Sequence, residues 1–215
     1  MKRKFKHWTP QYIKNRLALM WFEKNNPDFP WLTKEAIVFL DDWLKPTDQG
    51  VEWGSGRSTL WIAKRVGHLL SIEHNDNWYD QTRMALAMHN IVNVDYRQVS
   101  LPTRDNTNET DEFAKQTYGL EDKILDFALV DGADGTRAAC VREAMRLLRP
   151  CGLLILDNAN RYISHSTISP GSVGKGFKRN IAWSKTEAEL KSWRTIWTSN
   201  GVWDTAFFVK EPNSS

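Results

Sequence analysis

The spacing of hydrophobic positions predicts that the chain begins with two helices. Apolar residues recur near i, i+4, i+7 and i+8 between Gln11 and Asn25, which is typical of an amphipathic helix; they are Ile13, Leu17, Met20 and Trp21. Thr33 can cap a second helix that runs to about Leu44 and is ended by Pro46. We expect the N-terminal tryptophans to pack onto the rest of the protein, namely Trp8, Trp21, Trp31 and Trp43.

Beyond the second helix, strand-like runs alternate with helical patterns. The predicted strands are Gly50–Trp53, His68–Glu73, Val92–Arg97, Leu125–Val130 and Gly152–Leu156. The predicted helices bury Thr59, Ile62, Ala63 and Val66 in the first, Met84, Ala85 and Met88 in the second, and Ala138, Val141, Met145 and Leu148 in the third, which Pro150 closes. Residues 101–122 are polar and irregular. This order predicts a parallel sheet with right-handed crossovers and helices on both faces.

The C-terminal segment predicts a different strand arrangement. Two β-like runs, Arg194–Thr198 and Val202–Val209, flank a Ser-Asn-Gly turn at 199–201. The predicted fold is therefore an α/β, Rossmann-like sheet that is mostly parallel and finishes with an antiparallel hairpin. We expect a helical appendage over residues 1–33, one domain over 34–210 and a tail over 211–215.

A glycine-rich turn follows the first strand, in the segment Glu52-Trp-Gly-Ser-Gly-Arg-Ser58. Gly54 and Gly56 lack the Cβ atoms that would obstruct a tight turn and a close ligand. Glu73 ends the neighbouring second strand, so its carboxylate is predicted to lie beside the turn and accept ribose hydroxyls. Together these features favour a nucleoside ligand.

The glycine-rich turn differs from that of a dinucleotide-binding site in two ways, and these differences indicate which nucleoside-containing ligand it binds. The place of a third glycine, which would let pyrophosphate reach the helix, is taken by Thr59 or Leu60. Glu52 would repel a diphosphate but suits the ammonium group of a methionine. The turn therefore favours S-adenosylmethionine over a nicotinamide cofactor.

These segments resemble motifs I and II of the class I S-adenosylmethionine-dependent methyltransferases. Together with Ser71-Ile-Glu-His74, Val130-Asp-Gly132 and Leu156-Asp-Asn158, they resemble the catechol-O-methyltransferase-like branch and its "methyltransferase 24" relatives. The resemblance covers roughly residues 34–209 and implies a seven-stranded sheet with an antiparallel last strand. It also implies a cofactor site, with Gly54, Gly56 and Ser58 at the methionine, Glu73 at the ribose, His74 and Trp78 near the adenosine, and Glu52, Trp53 and Asp131 close by.

Acidic residues follow the fourth and fifth strands. Asp131 ends the fourth strand, and Asp157 and Asn158 end the fifth. The tips of adjacent strands lie about 4.8 Å apart, so these oxygens can converge on one hard cation. In the catechol-type family the corresponding set binds Mg²⁺ or a similar ion that lowers the pKa of the acceptor hydroxyl. Alternatively, Asp131 contacts the methionine or the substrate without a metal, and Asp157 and Asn158 cap the following loop.

One departure from the family pattern concerns the general base. The catechol-type family has a lysine shortly after the strand-four aspartate, and Gly132-Ala-Asp-Gly135 contains none. Asp134 or His165 could substitute for it, so we take Asp131 and His165 as the candidate catalytic residues.

The resulting functional hypothesis is O-methylation of a small-molecule or sugar hydroxyl, assisted by a divalent metal if one binds. The alternatives are a metal-independent N-methyltransferase, a nicotinamide-dependent oxidoreductase and a non-catalytic interaction domain. A net charge of +3 and the lack of a base-flipping motif argue against nucleic acid as the substrate. No apolar run reaches membrane-spanning length, and Cys140 and Cys151 lack metal-type spacing, so we expect a cytoplasmic protein with reduced thiols. The N-terminal helices are a candidate homo-oligomer contact.

Overall fold

A computed structural model describes residues 8–100, 111–173 and 181–212. Its helices are α1 (Pro10–Asn25), α2 (Lys34–Trp43), α3 (Arg57–Ala63), α4 (Asp76–Met88), α5 (Glu112–Lys115), α6 (Arg137–Leu147) and α7 (Ile181–Leu190). Its strands are β1 (Gln49–Trp53), β2 (His68–Glu73), β3 (Val94–Gln98), β4 (Leu125–Val130), β5 (Leu148–Asp157), β6 (Arg194–Ser199) and β7 (Asp204–Val209). A short 3₁₀ helix spans Ala159–Arg161.

The strands form one seven-stranded sheet in the order β3-β2-β1-β4-β5-β7-β6. β1 to β5 are mutually parallel, whereas β7 is antiparallel to both β5 and β6. This confirms the predicted Rossmann-like sheet with an antiparallel C-terminal hairpin. The order places the carboxyl ends of β1, β2, β4 and β5 along one edge, where ligands of open α/β sheets bind.

Each face of the sheet has its own hydrophobic core. On one face α2 and α3 pack over alternate strand residues, including Phe127, Leu129 and Phe207. On the other face α5, α6 and α7 cover the opposite set, including Val130, Leu154 and Phe208. Thr33 caps α2 by accepting a hydrogen bond from the Ala36 amide, as predicted.

Helix α1 has the predicted bounds but not the predicted packing. Its apolar positions are exposed, at 42% for Ile13, 61% for Leu17, 53% for Met20 and 69% for Trp21. Only Leu19 is buried among the residues of this helix. The prediction that the N-terminal tryptophans pack onto the domain is wrong for Trp8 and Trp21, because α2 and α3 already cover that face of the sheet, whereas Trp31 packs edge-on against Trp78 of α4.

Helix α4 is rotated relative to the prediction. Thr82 and Leu86 are its buried residues, while Met84 and Met88 are exposed. The helix covers the edge strand β3 and its neighbour β2, so it buries a stripe only one residue wide. Such a stripe is too narrow for hydrophobic periodicity to locate.

Several boundaries also differ from the prediction, among them the end of α6 and the start of β5. Helix α6 ends at Leu147 rather than at Pro150, because the chain becomes extended at Leu148 and β5 begins there. The pairing of β4 with β5 is irregular at that point, where a proline is tolerated. Within the segment 101–122, residues 101–110 lie outside the described residues, and α5 follows with Phe113 fully buried.

The described residues contain no helix that combines the length and the apolar character needed to cross a membrane. Cys140 and Cys151 are both free thiols, and Cys140 is buried.

Candidate active site

The glycine-rich turn leaves β1 at the carboxyl edge of the sheet. Gly54 has φ +97°, and a Cβ built on it would lie 2.7 Å from the carbonyl carbon of Asp131. The turn is tied to the sheet because the Gly54 amide donates to the Ile72 carbonyl oxygen at 2.9 Å. By contrast, a Cβ on Gly56 would meet nothing within 4 Å. The backbone therefore needs glycine at 54 to pass the end of β4, and it leaves open space at 56.

Glu73 fastens this turn to the end of β2. Its Oε2 accepts hydrogen bonds from the Ser55 amide at 2.7 Å and the Ser55 hydroxyl at 2.9 Å. Its Oε1 accepts from the amides of His74 and Asn75, each at 2.8 Å. Burial alone would raise the pKa of Glu73, but these hydrogen bonds hold it below its usual value. The carboxylate predicted to bind ribose is thus ionised, 3% exposed and already part of the turn.

Glu52 lies beneath the turn and is fully buried. Its Oε2 accepts hydrogen bonds from the hydroxyls of Thr59 at 2.6 Å and Ser71 at 2.8 Å. Its Oε1 is buried with no hydrogen-bond partner among the described residues. Burial raises the pKa of Glu52 to about 7, although hydrogen bonds from Ser58, Thr59 and Ser71 lower it in part. A buried acceptor without a donor, directly under a glycine turn, fits a cationic ligand group such as an ammonium.

The pKa of Glu52 predicts how stability depends on pH. Because the folded protein binds the Glu52 proton more tightly than the unfolded chain does, the free energy of unfolding should fall as the pH rises from about 5 to 8. The contribution of this residue is on the order of 3 kcal/mol. In Glu52→Gln the side chain cannot ionise. The free energy of unfolding, measured by urea denaturation at each pH, should therefore fall less steeply with pH than in the wild type. The control Glu121→Gln, at an exposed position, should keep the pH dependence of the wild type. A wild-type pH dependence in Glu52→Gln would contradict the raised pKa of Glu52.

The other predicted cofactor residues occupy different positions around the turn. His74 places Nδ1 3.1 Å from Oε1 of Glu73, and its ring meets Phe113 edge-on. Trp53 is fully buried, and its indole N–H donates to the Phe113 carbonyl at 3.1 Å, so its side chain belongs to the core under the turn. Trp78 lies on α4 with its ring edge-on to Trp31, at a centroid distance of 5.5 Å.

Arg137, which the sequence did not single out, dominates the edge near β4 and β5. Its side chain is 6% exposed, and its Nη2 lies 2.8 Å from Oδ1 of Asp131. The same guanidinium donates to the carbonyl oxygens of Asp131 at 3.0 Å, Gly132 at 2.7 Å and Asp157 at 2.6 Å. One buried cation therefore joins the ends of both strands. The Asp131 side chain remains 36% exposed beside this guanidinium.

Asp157 and Asn158 form a closed hydrogen-bonded group. Asp157 Oδ1 accepts from the Thr205 hydroxyl of β7 at 2.9 Å, and its Oδ2 accepts from the Asn158 amide at 2.5 Å. Burial, and then the neighbouring Asp131 carboxylate, raise the pKa of Asp157 to about 8. No group of three or more His, Cys, Asp or Glu side chains is placed to hold a metal ion in the part of the chain that the structure describes.

Asp134 and His165, the two residues that could replace the family's lysine as general base, have different surroundings. Asp134 accepts a hydrogen bond from the Tyr162 hydroxyl at 2.5 Å, on the α6 side of the edge. His165 stacks on Trp197 of β6, with ring centroids 4.1 Å apart and planes at 7°. It lines a cavity of about 500 Å³ together with Glu187 and Lys191.

Comparison with known proteins identifies the fold. No family profile matches the chain, and no curated protein matches it in sequence. Among solved structures it is similar to a protein from Staphylococcus aureus provisionally named a caffeoyl-CoA O-methyltransferase, with 18% identity, a TM-score of 0.56, and 96% of this chain and 95% of that chain covered. A provisionally named O-methyltransferase from Klebsiella pneumoniae gives 18% identity, a TM-score of 0.56, and 95% and 91% coverage.

A third similar structure contains a cofactor product. It is a provisionally named methyltransferase from Streptococcus mutans in complex with S-adenosylhomocysteine, with 12% identity, a TM-score of 0.55, and 85% of this chain and 99% of that chain covered. The chain thus shares its fold with these three provisionally named methyltransferases. This confirms, for the fold, the resemblance read from the sequence.

Proposed function

We propose that the protein is an S-adenosylmethionine-dependent methyltransferase. The observation that carries the proposal is the arrangement around Gly54–Gly56. Glu73 fastens the turn, the backbone is open at Gly56, and the unpartnered Oε1 of Glu52 lies below. The methionine ammonium would supply the donor that Glu52 lacks, and the ribose would take the place of the Ser55 hydroxyl as a donor to Glu73. The complex of the S. mutans protein with S-adenosylhomocysteine supports the same ligand class.

Calorimetric titration distinguishes this cofactor from the nicotinamide alternative. We expect S-adenosylhomocysteine to bind with one site per chain, and NAD to give no binding heat, because Glu52 would repel a diphosphate. Binding of NAD without S-adenosylhomocysteine would identify an oxidoreductase instead. Binding of neither would identify a non-catalytic domain.

For the acceptor we propose a hydroxyl group of a small molecule. The names of the S. aureus and K. pneumoniae proteins support O-methylation. In this reaction the acceptor oxygen forms a bond to the methyl carbon while the carbon–sulfur bond breaks. Its electron pair passes to sulfur and leaves S-adenosylhomocysteine. The hydroxyl proton must go to a base, and the half-exposed carboxylate of Asp131, at the end of β4, is our candidate.

The divalent metal implied by the catechol-type family does not fit these residues. The guanidinium of Arg137 already lies against Asp131, and it would repel a second cation at that point. Both carboxylate oxygens of Asp157 already accept hydrogen bonds, from Thr205 and from Asn158. We therefore propose alignment of acceptor and methyl group, with Asp131 as base, and derive no step through a metal.

Substitution of the two candidate bases tests this assignment. We expect Asp131→Asn to lower kcat for methyl transfer about 100-fold or more, since general-base catalysis contributes at least that much in many enzymes. His165→Gln, which alters a ring stacked on Trp197, should change kcat only a few-fold. Titration with S-adenosylhomocysteine verifies that both variants are folded. The opposite ranking would assign the base to His165, and full activity in both would favour an amine acceptor, which attacks as the neutral base.

We also propose that α1 joins two copies of the chain. Its exposed apolar residues, Ile13, Leu17, Met20 and Trp21, lie on one face of the helix, which is typical of a helix–helix contact. Light scattering after size exclusion should give a dimer mass for the wild type and a monomer mass for Leu17→Gln. The control Lys14→Gln, an exposed residue of the same helix, should remain dimeric. A monomeric wild type would contradict the proposal.

A further inference from the structure

A groove lies on the helical face of the protein, between α3 and α4. Residues 27–31, which precede α2, close one side of it. Its volume is about 570 Å³, within the range of small-molecule sites. It meets the glycine-rich turn at Gly56 and continues along the helices to His89. This course leads away from Asp131 and Asp157, so the proposed methyl transfer makes no use of the groove.

Aromatic side chains form the walls of this groove. Trp31 and Trp78 stand edge-to-face across a centroid distance of 5.5 Å, and they are 45% and 37% exposed. Trp61 is only 4% exposed, and its indole N–H is buried with no acceptor among the described residues. Exposed indole rings that bracket a cavity offer flat apolar surfaces to a planar ligand.

Cationic side chains line the same groove. They are Arg57, Lys64 and Arg65, against a single carboxylate, Asp28, among the described lining residues. Arg65 is paired with Asp41 at 2.7 Å, and its guanidinium covers the Trp61 ring at 3.6 Å. Arg57 lies 5.2 Å from the Trp31 ring, and its Nη1 is buried with no hydrogen-bond acceptor. The groove thus contains more positive than negative charge, and donors that lack acceptors.

We propose that this groove is a second ligand site, which binds a planar aromatic molecule carrying an anionic group. The ring would lie against Trp31 and Trp78, and the anion would accept hydrogen bonds from Arg57 and attract Lys64. Charge and shape together select this class: a neutral ring leaves Arg57 without an acceptor, and a non-planar anion leaves the indole faces uncovered. The site borders the predicted cofactor residues Gly56 and Trp78 and extends from them along α3 and α4, and binding in it does not depend on the cofactor.

Three probes separate the contributions of ring and charge. In calorimetric titrations of the full chain, naphthalene-2-sulfonate should bind at one site. The neutral 2-naphthalenemethanol and the non-aromatic cyclohexanesulfonate should each bind at least 10-fold more weakly. Equal affinity for all three probes, or no binding of naphthalene-2-sulfonate, would overturn the proposal.

Variants locate the binding within the protein. Arg57→Gln and Trp31→Leu should each weaken naphthalene-2-sulfonate at least 10-fold. Arg83→Gln, on α4 but outside the groove, and Trp21→Leu, on α1, should keep wild-type affinity. Circular dichroism and thermal unfolding establish that each variant is folded, and Lys64→Gln, an exposed position, provides a second charge-removing variant. If all groove variants bound naphthalene-2-sulfonate as tightly as the wild type, the ligand would not bind in the groove and the proposal would be refuted.

A competition experiment tests whether the site is separate. Naphthalene-2-sulfonate should bind the wild-type protein equally well in the absence of S-adenosylhomocysteine and in its saturating presence. Mutual displacement would mean that the probe occupies the cofactor site, which would overturn the proposal. If S-adenosylhomocysteine itself failed to bind, the proposed function would be refuted. The results with the probes and variants would still test whether the groove binds a ligand.

Discussion

Replacing Glu73 by alanine should abolish measurable binding of S-adenosylhomocysteine, with a loss of affinity of about 100-fold or more. Two effects combine in this expectation. The ribose loses an ionised acceptor, which contributes about 1.5–3 kcal/mol for each hydrogen bond. The turn also loses its attachment, because the donors on Ser55, His74 and Asn75 no longer have the carboxylate. Isothermal titration measures the affinity directly.

Two further variants separate ligand binding from stability. Glu73→Gln keeps one acceptor oxygen, so it should remain folded. Its affinity for S-adenosylhomocysteine should nevertheless be at least 10-fold lower than that of the wild type. Glu121→Ala removes an exposed carboxylate and should bind like the wild type. Wild-type affinity in a folded Glu73→Ala protein would refute the assignment of the cofactor site.

Replacing Arg137 by methionine should lower the free energy of unfolding by about 2–4 kcal/mol, because buried carbonyl oxygens that lose their donor cost about 1–3 kcal/mol each, while the 36% exposed Asp131 is partly solvated. The substitution leaves Asp131 without its counter-ion, and leaves the carbonyl oxygens of Gly132 and Asp157 without a donor. Methionine fills similar volume, so packing contributes little to the loss. Urea denaturation monitored by circular dichroism gives the difference.

The control for this substitution is Arg83→Met, at an arginine 62% exposed and 3.5 Å from Asp80. An exposed pair of this kind stabilises by well under 1 kcal/mol, so this variant should unfold like the wild type. Arg137→Lys should recover only part of the lost stability, because one ammonium cannot replace the forked donors of a guanidinium. A loss below 1 kcal/mol in Arg137→Met would show that the cation does not join the two strands.

The sequence determined the fold because its main signals are local. Strands β2 and β4 have the predicted bounds, and β4 follows a nearly continuous apolar run because a strand covered on both faces has few polar positions. The Ser-Asn-Gly turn indicated the antiparallel hairpin, and Thr33 indicated the start of α2. Burial depends on more distant neighbours. The apolar face of α1 is exposed because other helices already cover the sheet, and no periodicity within α1 contains that information.

The same division applies to the site. Glycines and carboxylates at strand ends were found from the sequence, because the carboxyl ends of parallel strands meet at one edge. The sequence could not indicate that Glu73 is bound by Ser55, or that an arginine in the first turn of α6 reaches the ends of two strands. Those contacts join residues far apart along the chain. The sequence thus established which chemical groups are present at the edge, and the packing of α6 against β4 and β5 placed the guanidinium of Arg137 against Asp131.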